Sequence, residues 1–237
     1  MDVKKFIWII LGLVTCDYKQ QSNQPKLVPV QHGTPPPVAT LDTSAQLPVT
    51  ATASTPDVHE EKSPPLIPSG QKVLIVGDSL AVGLSGELSR LLKTAKYLPV
   101  SHAKIGSTTA QWINWIKTDL AVHKPALVIV SLGTNDAAAD PQWLEKNKDN
   151  FAKFTKIVMD SGAKLLWIGP PEFEEEMLPR VPYVRDLIIE AAPIFYDSRL
   201  SNIPRAEDKI HSTVNGYKSW AGDIWSWLLK SNIVDVK

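Results

Sequence analysis

Apolar residues in the C-terminal part of the chain fall into short continuous runs separated by longer stretches with helical spacing. Val73 to Val76 (VLIV), Leu127 to Val130 (LVIV) and Leu165 to Ile168 (LLWI) read as strands, with a weaker one over Leu98 to His102 and a fifth over Ile194 to Tyr196. Runs so short and so uniformly apolar suit strands buried on both faces. Between them Leu84, Leu88, Leu91 and Leu92 recur at helical intervals, as do Trp112, Ile113, Ile116 and Leu120. Tyr217, Trp220, Ala221, Ile224 and Leu228 form the stripe of a final helix. Asp140-Pro141 supplies a cap and a first-turn proline, Leu144, Phe151, Phe154 and Val158 an apolar stripe, and Gly162 a stop, which together predict a single helix. Alternating strands and helices predict the α/β class, here a three-layer α/β/α sandwich around a mostly five-stranded parallel sheet.

The N-terminal region lacks this pattern. Lys4 and Lys5 precede Phe6 to Val14 (FIWIILGLV), an apolar run of nine residues, whereas about 20 are needed to cross a bilayer core. Residues 1–15 therefore read as a signal peptide. Leu13-Val14-Thr15-Cys16 resembles the lipobox of bacterial lipoproteins, in which the cysteine carries the lipid and begins the mature chain, although Thr15 stands where Gly, Ala or Ser is usual. The alternative is an ordinary secretory signal with an incidental cysteine. Both readings export the protein to the periplasm or cell envelope, and the first anchors it to a membrane through lipidated Cys16. Ten of the 19 prolines fall between residues 17 and 70, with Thr, Ser and Gln around them and Tyr18 the one aromatic residue. Such a stretch cannot bury enough apolar surface to offset its ordering entropy. Residues 16–70 thus read as a disordered tether, and residues 71–237 as one well-buried domain.

Charge and composition narrow the function. The chain has 25 Lys and Arg against 25 Asp and Glu, so binding driven by nucleic-acid phosphates is not expected. A lone cysteine excludes an internal disulfide and a multi-cysteine metal site. His32 and His59 stand isolated in the tether. The chain has no G-x-S-x-G, Walker A, G-x-G-x-x-G or H-E-x-x-H sequence, and no cofactor or metal is expected.

In parallel sheets ligands settle outside the carboxyl ends of the strands, near the reversal of strand order. The turns found there read Gly77-Asp78-Ser79-Leu80, Ile105-Gly106-Ser107-Thr108-Thr109 and Gly133-Thr134-Asn135-Asp136, and Asp208-Lys209-Ile210-His211 stands just before the last helix. These four blocks, in this order over residues 72–229, resemble the SGNH hydrolases, also called GDSL esterases. The resemblance implies a flavodoxin-like sandwich and an ester hydrolase acting through an acyl-enzyme. It implies Ser79 as nucleophile, Asp208 and His211 as its triad partners, and Ser79, Gly106 and Asn135 as the oxyanion hole. The second block, Gly-Ser-Thr-Thr, lacks the second glycine common in the family, which bears on the shape of the pocket.

The residue types suit those roles. A serine hydroxyl needs a base to take its proton as it attacks, and imidazole titrates close enough to neutrality to serve. A carboxylate three residues before a histidine can reach the far ring nitrogen through a local turn. Donors aimed at the developing oxyanion usually supply the largest catalytic contribution. Asp78 reads as a cap, and Gly77 and Gly133 as strand-end turns. His102 and His123 have no partner in the pattern and read as structural or solvent-facing. Trp112 reads as helix core, the alternative being a sugar-stacking platform with Trp115, and Glu172 to Glu176 as a solvated charged face, the alternative being a rim of the cleft. A small-molecule or glycan ester is the expected substrate. A lipid esterase or lysophospholipase, an O-acyltransferase and a catalytically idle glycan-binding module remain open alternatives.

Overall fold

The computed structural model describes residues 63–174 and 176–236. The expected signal peptide, the lipidation site Cys16 and most of the expected tether lie outside them. Five parallel strands, β1 (Lys72–Gly77), β2 (Leu98–Ala103), β3 (Leu127–Ser131), β4 (Lys164–Ile168) and β5 (Ile194–Tyr196), form one sheet in the order β2-β1-β3-β4-β5. The order reverses between β1 and β3, so the turns after these strands flank the crevice where such sheets receive ligands.

Two long helices cover one face and three somewhat shorter ones the other. On the first lie α1 (Ser79–Thr94) and, last in the chain, α7 (Val214–Lys230); Leu84, Leu88, Trp220 and Ile224 pack there against Val73, Ile75, Ile129 and Leu166. On the second lie α2 (Thr109–His123), α5 (Asn150–Asp160) and α6 (Val181–Ala191); Trp112, Phe154, Val158 and Ile188 pack against Leu74, Val76, Val128 and Trp167. Odd and even strand positions thus serve opposite layers, which is why the strands read as unbroken apolar runs. Two short helices, α3 (Thr134–Ala138) and α4 (Pro141–Asn147), follow β3.

Three details depart from the sequence reading. The single helix expected after Asp140 is two, α4 and α5, because Asn147-Lys148-Asp149-Asn150 interrupts it. Asn147 donates to the Trp143 carbonyl and Asn150 to the Asn147 side chain, and such local bonds compete with the helix ladder. Helix α6 was missed, although Pro182 in its first turn and Val181, Val184 and Ile188 at helical spacing announce it. The end of the expected tether is also folded: Ile67 is 3% exposed within the α1/α7 layer, and Leu66 and Ile67 donate to the carbonyls of Asn232 and Ile233. Proline content misleads here because two apolar residues suffice to pin an otherwise polar segment.

Candidate active site

Strand β1 ends at Gly77, whose φ is +152°; a Cβ there would lie 2.0 Å from the Ser131 carbonyl oxygen, so only glycine lets β1 leave the sheet this close to β3. The next residue, Asp78, donates its N–H to that same carbonyl (3.2 Å) and caps α1 by accepting from the Leu80 N–H (2.9 Å). Ser79 is the first residue of α1, half-buried at the sheet's carboxyl edge. The positive end of the helix dipole favours negative charge developing beside it.

Residues 204–213 form a small hairpin before α7. Arg205 and Ser212 make an antiparallel bridge, Ala206 donates to the His211 carbonyl (2.8 Å), and Lys209 takes a left-handed φ of +59° at the bend. That bend lets one oxygen of Asp208 accept from the main-chain N–H groups of Ile210 (3.0 Å) and His211 (2.9 Å) while the other meets His211 Nδ1 at 2.6 Å. His211 Nε2 lies 2.9 Å from Ser79 Oγ. Burial would raise the Asp208 carboxyl, but the bonds from the His211 ring and from the two N–H groups outweigh it and hold the group below the ordinary carboxylate range. An ionised Asp208 only accepts, so Nδ1 carries the proton and the Nε2 lone pair faces the serine hydroxyl.

The remaining blocks converge on the same edge. Gly106 is exposed with a φ of +73°, in a turn closed by Ser107, whose N–H and hydroxyl both donate to the Lys104 carbonyl. Lys104 in turn donates to the Gly77 carbonyl (2.8 Å). Asn135 Nδ2 donates to the Ser107 carbonyl (3.0 Å) and to Asp78 Oδ2 (3.3 Å). Both neighbours are acceptors, which fixes the amide with its nitrogen toward the site. Asp136 receives the Thr109 N–H on both oxygens at 3.1 Å, tying the start of α2 to the end of β3. Burial pushes the Asp78 carboxyl up to about 7 against the pull of the Leu80 N–H, the charge of Asp136 adding to the rise. Burial likewise raises Asp136 to about 6 despite the bonds from Thr109.

Sequence reasoning left parts of this neighbourhood unread. His102 has a partner after all: Nδ1 lies 2.6 Å from Asp119 on α2, and the ring meets Trp112 edge-on. Trp112 is fully buried, as its spacing implied, and donates to Ser107 Oγ (2.8 Å), so it also braces the Gly106 turn. Glu172 and Glu174 are more than half exposed, as a solvated face requires, yet they pair with Arg185 and Lys209 and border a cavity of about 420 Å³ behind the Asp208 hairpin. Phe173, Ser198, Ile203 and Arg205 complete much of its wall.

Residues 72–193 match the model of a family described as "Protein of unknown function (DUF459)". The chain belongs to this family. The matched segment carries Ser79, Gly106 and Asn135 and stops short of Asp208 and His211, which the fold brings to the serine. Esterase TesA of Pseudomonas aeruginosa is 32% identical over 120 residues, and the match spans 44% of this chain and 58% of TesA. Among solved structures, the acetylxylan esterase Axe2 of Geobacillus stearothermophilus is 18% identical, with a TM-score of 0.56 over 69% of this chain and 96% of that one. A GDSL-like lipase of Bacteroides thetaiotaomicron is 19% identical, with a TM-score of 0.54 over 68% of this chain and 89% of that one. At these identities the likeness shows the fold, which is that of the GDSL hydrolases, as the four blocks implied.

Proposed function

We propose that this protein is an exported serine esterase that removes short acyl groups, acetyl foremost, from a cell-envelope glycan. The observation that carries the reaction type is the unbroken line from Asp208 through the His211 ring to Ser79, with contacts of 2.6 Å and 2.9 Å. His211 Nε2 takes the hydroxyl proton as Oγ attacks the ester carbonyl, while Asp208 steadies the imidazolium. The N–H groups of Ser79 and Gly106 and the amide of Asn135 receive the oxyanion, the long 3.3 Å bond to Asp78 being the one the amide gives up or shares. Collapse of the tetrahedral intermediate expels the alcohol, which takes the proton from His211. Water, activated by the same imidazole, then frees the acid and restores Ser79.

The substrate reading draws on different support. The N-terminal run and Cys16 favour an envelope address, the expected tether gives an anchored domain reach, and a structural neighbour is an acetylxylan esterase by name. Initial rates on p-nitrophenyl esters of increasing chain length, beside acetate release from O-acetylated glycans, test it. Falling rates with chain length and acetate release support the glycan reading, whereas preference for long chains makes the protein a lipid esterase. Metabolic labelling with a palmitate analogue, compared between the wild type and Cys16→Ser, tests the anchor.

A further inference from the structure

The hairpin that carries His211 is held by a side chain outside all four sequence blocks. Arg205 Nη1 donates to the Ile210 carbonyl (2.8 Å), Nη2 donates to the Glu172 carbonyl (2.6 Å), and the guanidinium lies over the Phe173 ring, 4.6 Å from its centroid. The Ile210 carbonyl belongs to the same peptide unit as the His211 N–H, which donates to Asp208 Oδ1. That one peptide plane is therefore gripped on its oxygen by Arg205 and on its nitrogen by Asp208. Its orientation sets the direction in which the His211 side chain leaves the backbone. The second arm of Arg205 reaches the segment after β4, so the hairpin is referred to the sheet and not only to itself. Among the described residues Arg205 joins no ion pair. Its charge is spent on two carbonyls and an aromatic face, an arrangement that a planar fork satisfies and a compact ammonium cannot.

We propose that Arg205 is a positioning residue for the esterase reaction: it clamps the Ile210–His211 peptide to the segment after β4 and so fixes the reach of His211 Nε2 to Ser79. This rests on the hydrolase reading above and adds to it a residue that touches neither the ester nor the serine. The clamp acts on the chemical step, where a displacement of about 1 Å costs roughly 10²-fold in rate. It has no direct part in holding the substrate.

The test uses the full chain, p-nitrophenyl acetate as substrate and a fluorophosphonate probe for the serine. Arg205→Ala is expected to lower kcat roughly 10²-fold with KM unchanged, and to slow fluorophosphonate labelling in parallel. Because Arg205 lines the cavity behind the hairpin, added guanidinium ion at sub-denaturing concentration can refill the gap and is expected to recover part of the lost rate. Arg205→Lys, which keeps the charge and most of the packing, is expected to remain well below wild type. Wild-type kcat in Arg205→Ala, a loss confined to KM, or full activity in Arg205→Lys would each overturn the clamp. If the alanine variant does not fold, the lysine variant and its labelling rate decide alone. Failure of the hydrolase reading itself is separate, since it appears as undiminished turnover in Ser79→Ala whatever Arg205 does.

Discussion

His211 Nε2 and Ser79 Oγ stand 2.9 Å apart although 132 positions separate them in the chain. The contact follows from how the two helices nearest them lie. Ser79 opens α1 and His211 stands three residues before α7, and the two helices share one apolar layer on the sheet through residues such as Leu84, Leu88, Trp220 and Ile224. Packing of ordinary core residues thus sets the distance between the two side chains.

Asp208 fixes the imidazole tautomer. Asp208→Asn keeps an oxygen for the two main-chain N–H groups but turns an amide nitrogen toward Nδ1, which forces the ring proton onto Nε2. The variant is expected to fold normally and lose roughly 10⁴-fold in kcat, as when the carboxylate of a serine-protease triad is so replaced. Steady-state rates together with a thermal melt check both halves of the expectation.

Truncating Asn135 removes an amide donor from the site together with its bond to the Ser107 carbonyl. Asn135→Ala is expected to lower kcat by about 10²- to 10³-fold. An effect confined to KM would assign Asn135 to substrate binding instead.

Asp78 and Asp136 carry carboxyls raised from 3.8 to about 7 and about 6. The folded state holds these protons more tightly than the unfolded chain. Their contribution to stability is therefore complete below the unfolded value near 3.8 and is lost as pH rises through about 6 and then about 7. Carboxyls shifted downward, such as Asp208 and Asp197, change charge below that window. The melting temperature is expected to fall between mildly acidic and mildly alkaline buffer, and to fall less in Asp136→Asn, as calorimetry at the two pH values will show.

Ile67 makes the end of the proline-rich segment part of the domain. Ile67→Ala is expected to cost about 2–5 kcal/mol by denaturant titration, the usual range for emptying a buried aliphatic site.

The sheet was legible in the sequence for physical reasons, and the four blocks that converge at its edge through their resemblance to a known family. A strand buried on both faces can only be an apolar run, and the blocks that carry Ser79, Asn135 and His211 need particular residues at particular offsets. What stayed hidden depends on contacts between distant segments. Nothing local distinguishes Arg205 from a solvated arginine, since its partners Glu172 and Ile210 lie on two different loops. His102 finds Asp119 only because β2 and α2 adjoin. The break between α4 and α5 was within reach, because Asn147-Lys148-Asp149-Asn150 clusters side chains that compete with the helix backbone.

Fluorophosphonate labelling of the purified protein, with mass spectrometry of the labelled peptide and esterase rates for Ser79→Ala, tests the central claim most directly. The label is expected on Ser79 alone, and Ser79→Ala is expected to lose nearly all turnover while melting like the wild type. Labelling at another residue, or a folded Ser79→Ala variant that still turns over p-nitrophenyl acetate, would contradict it.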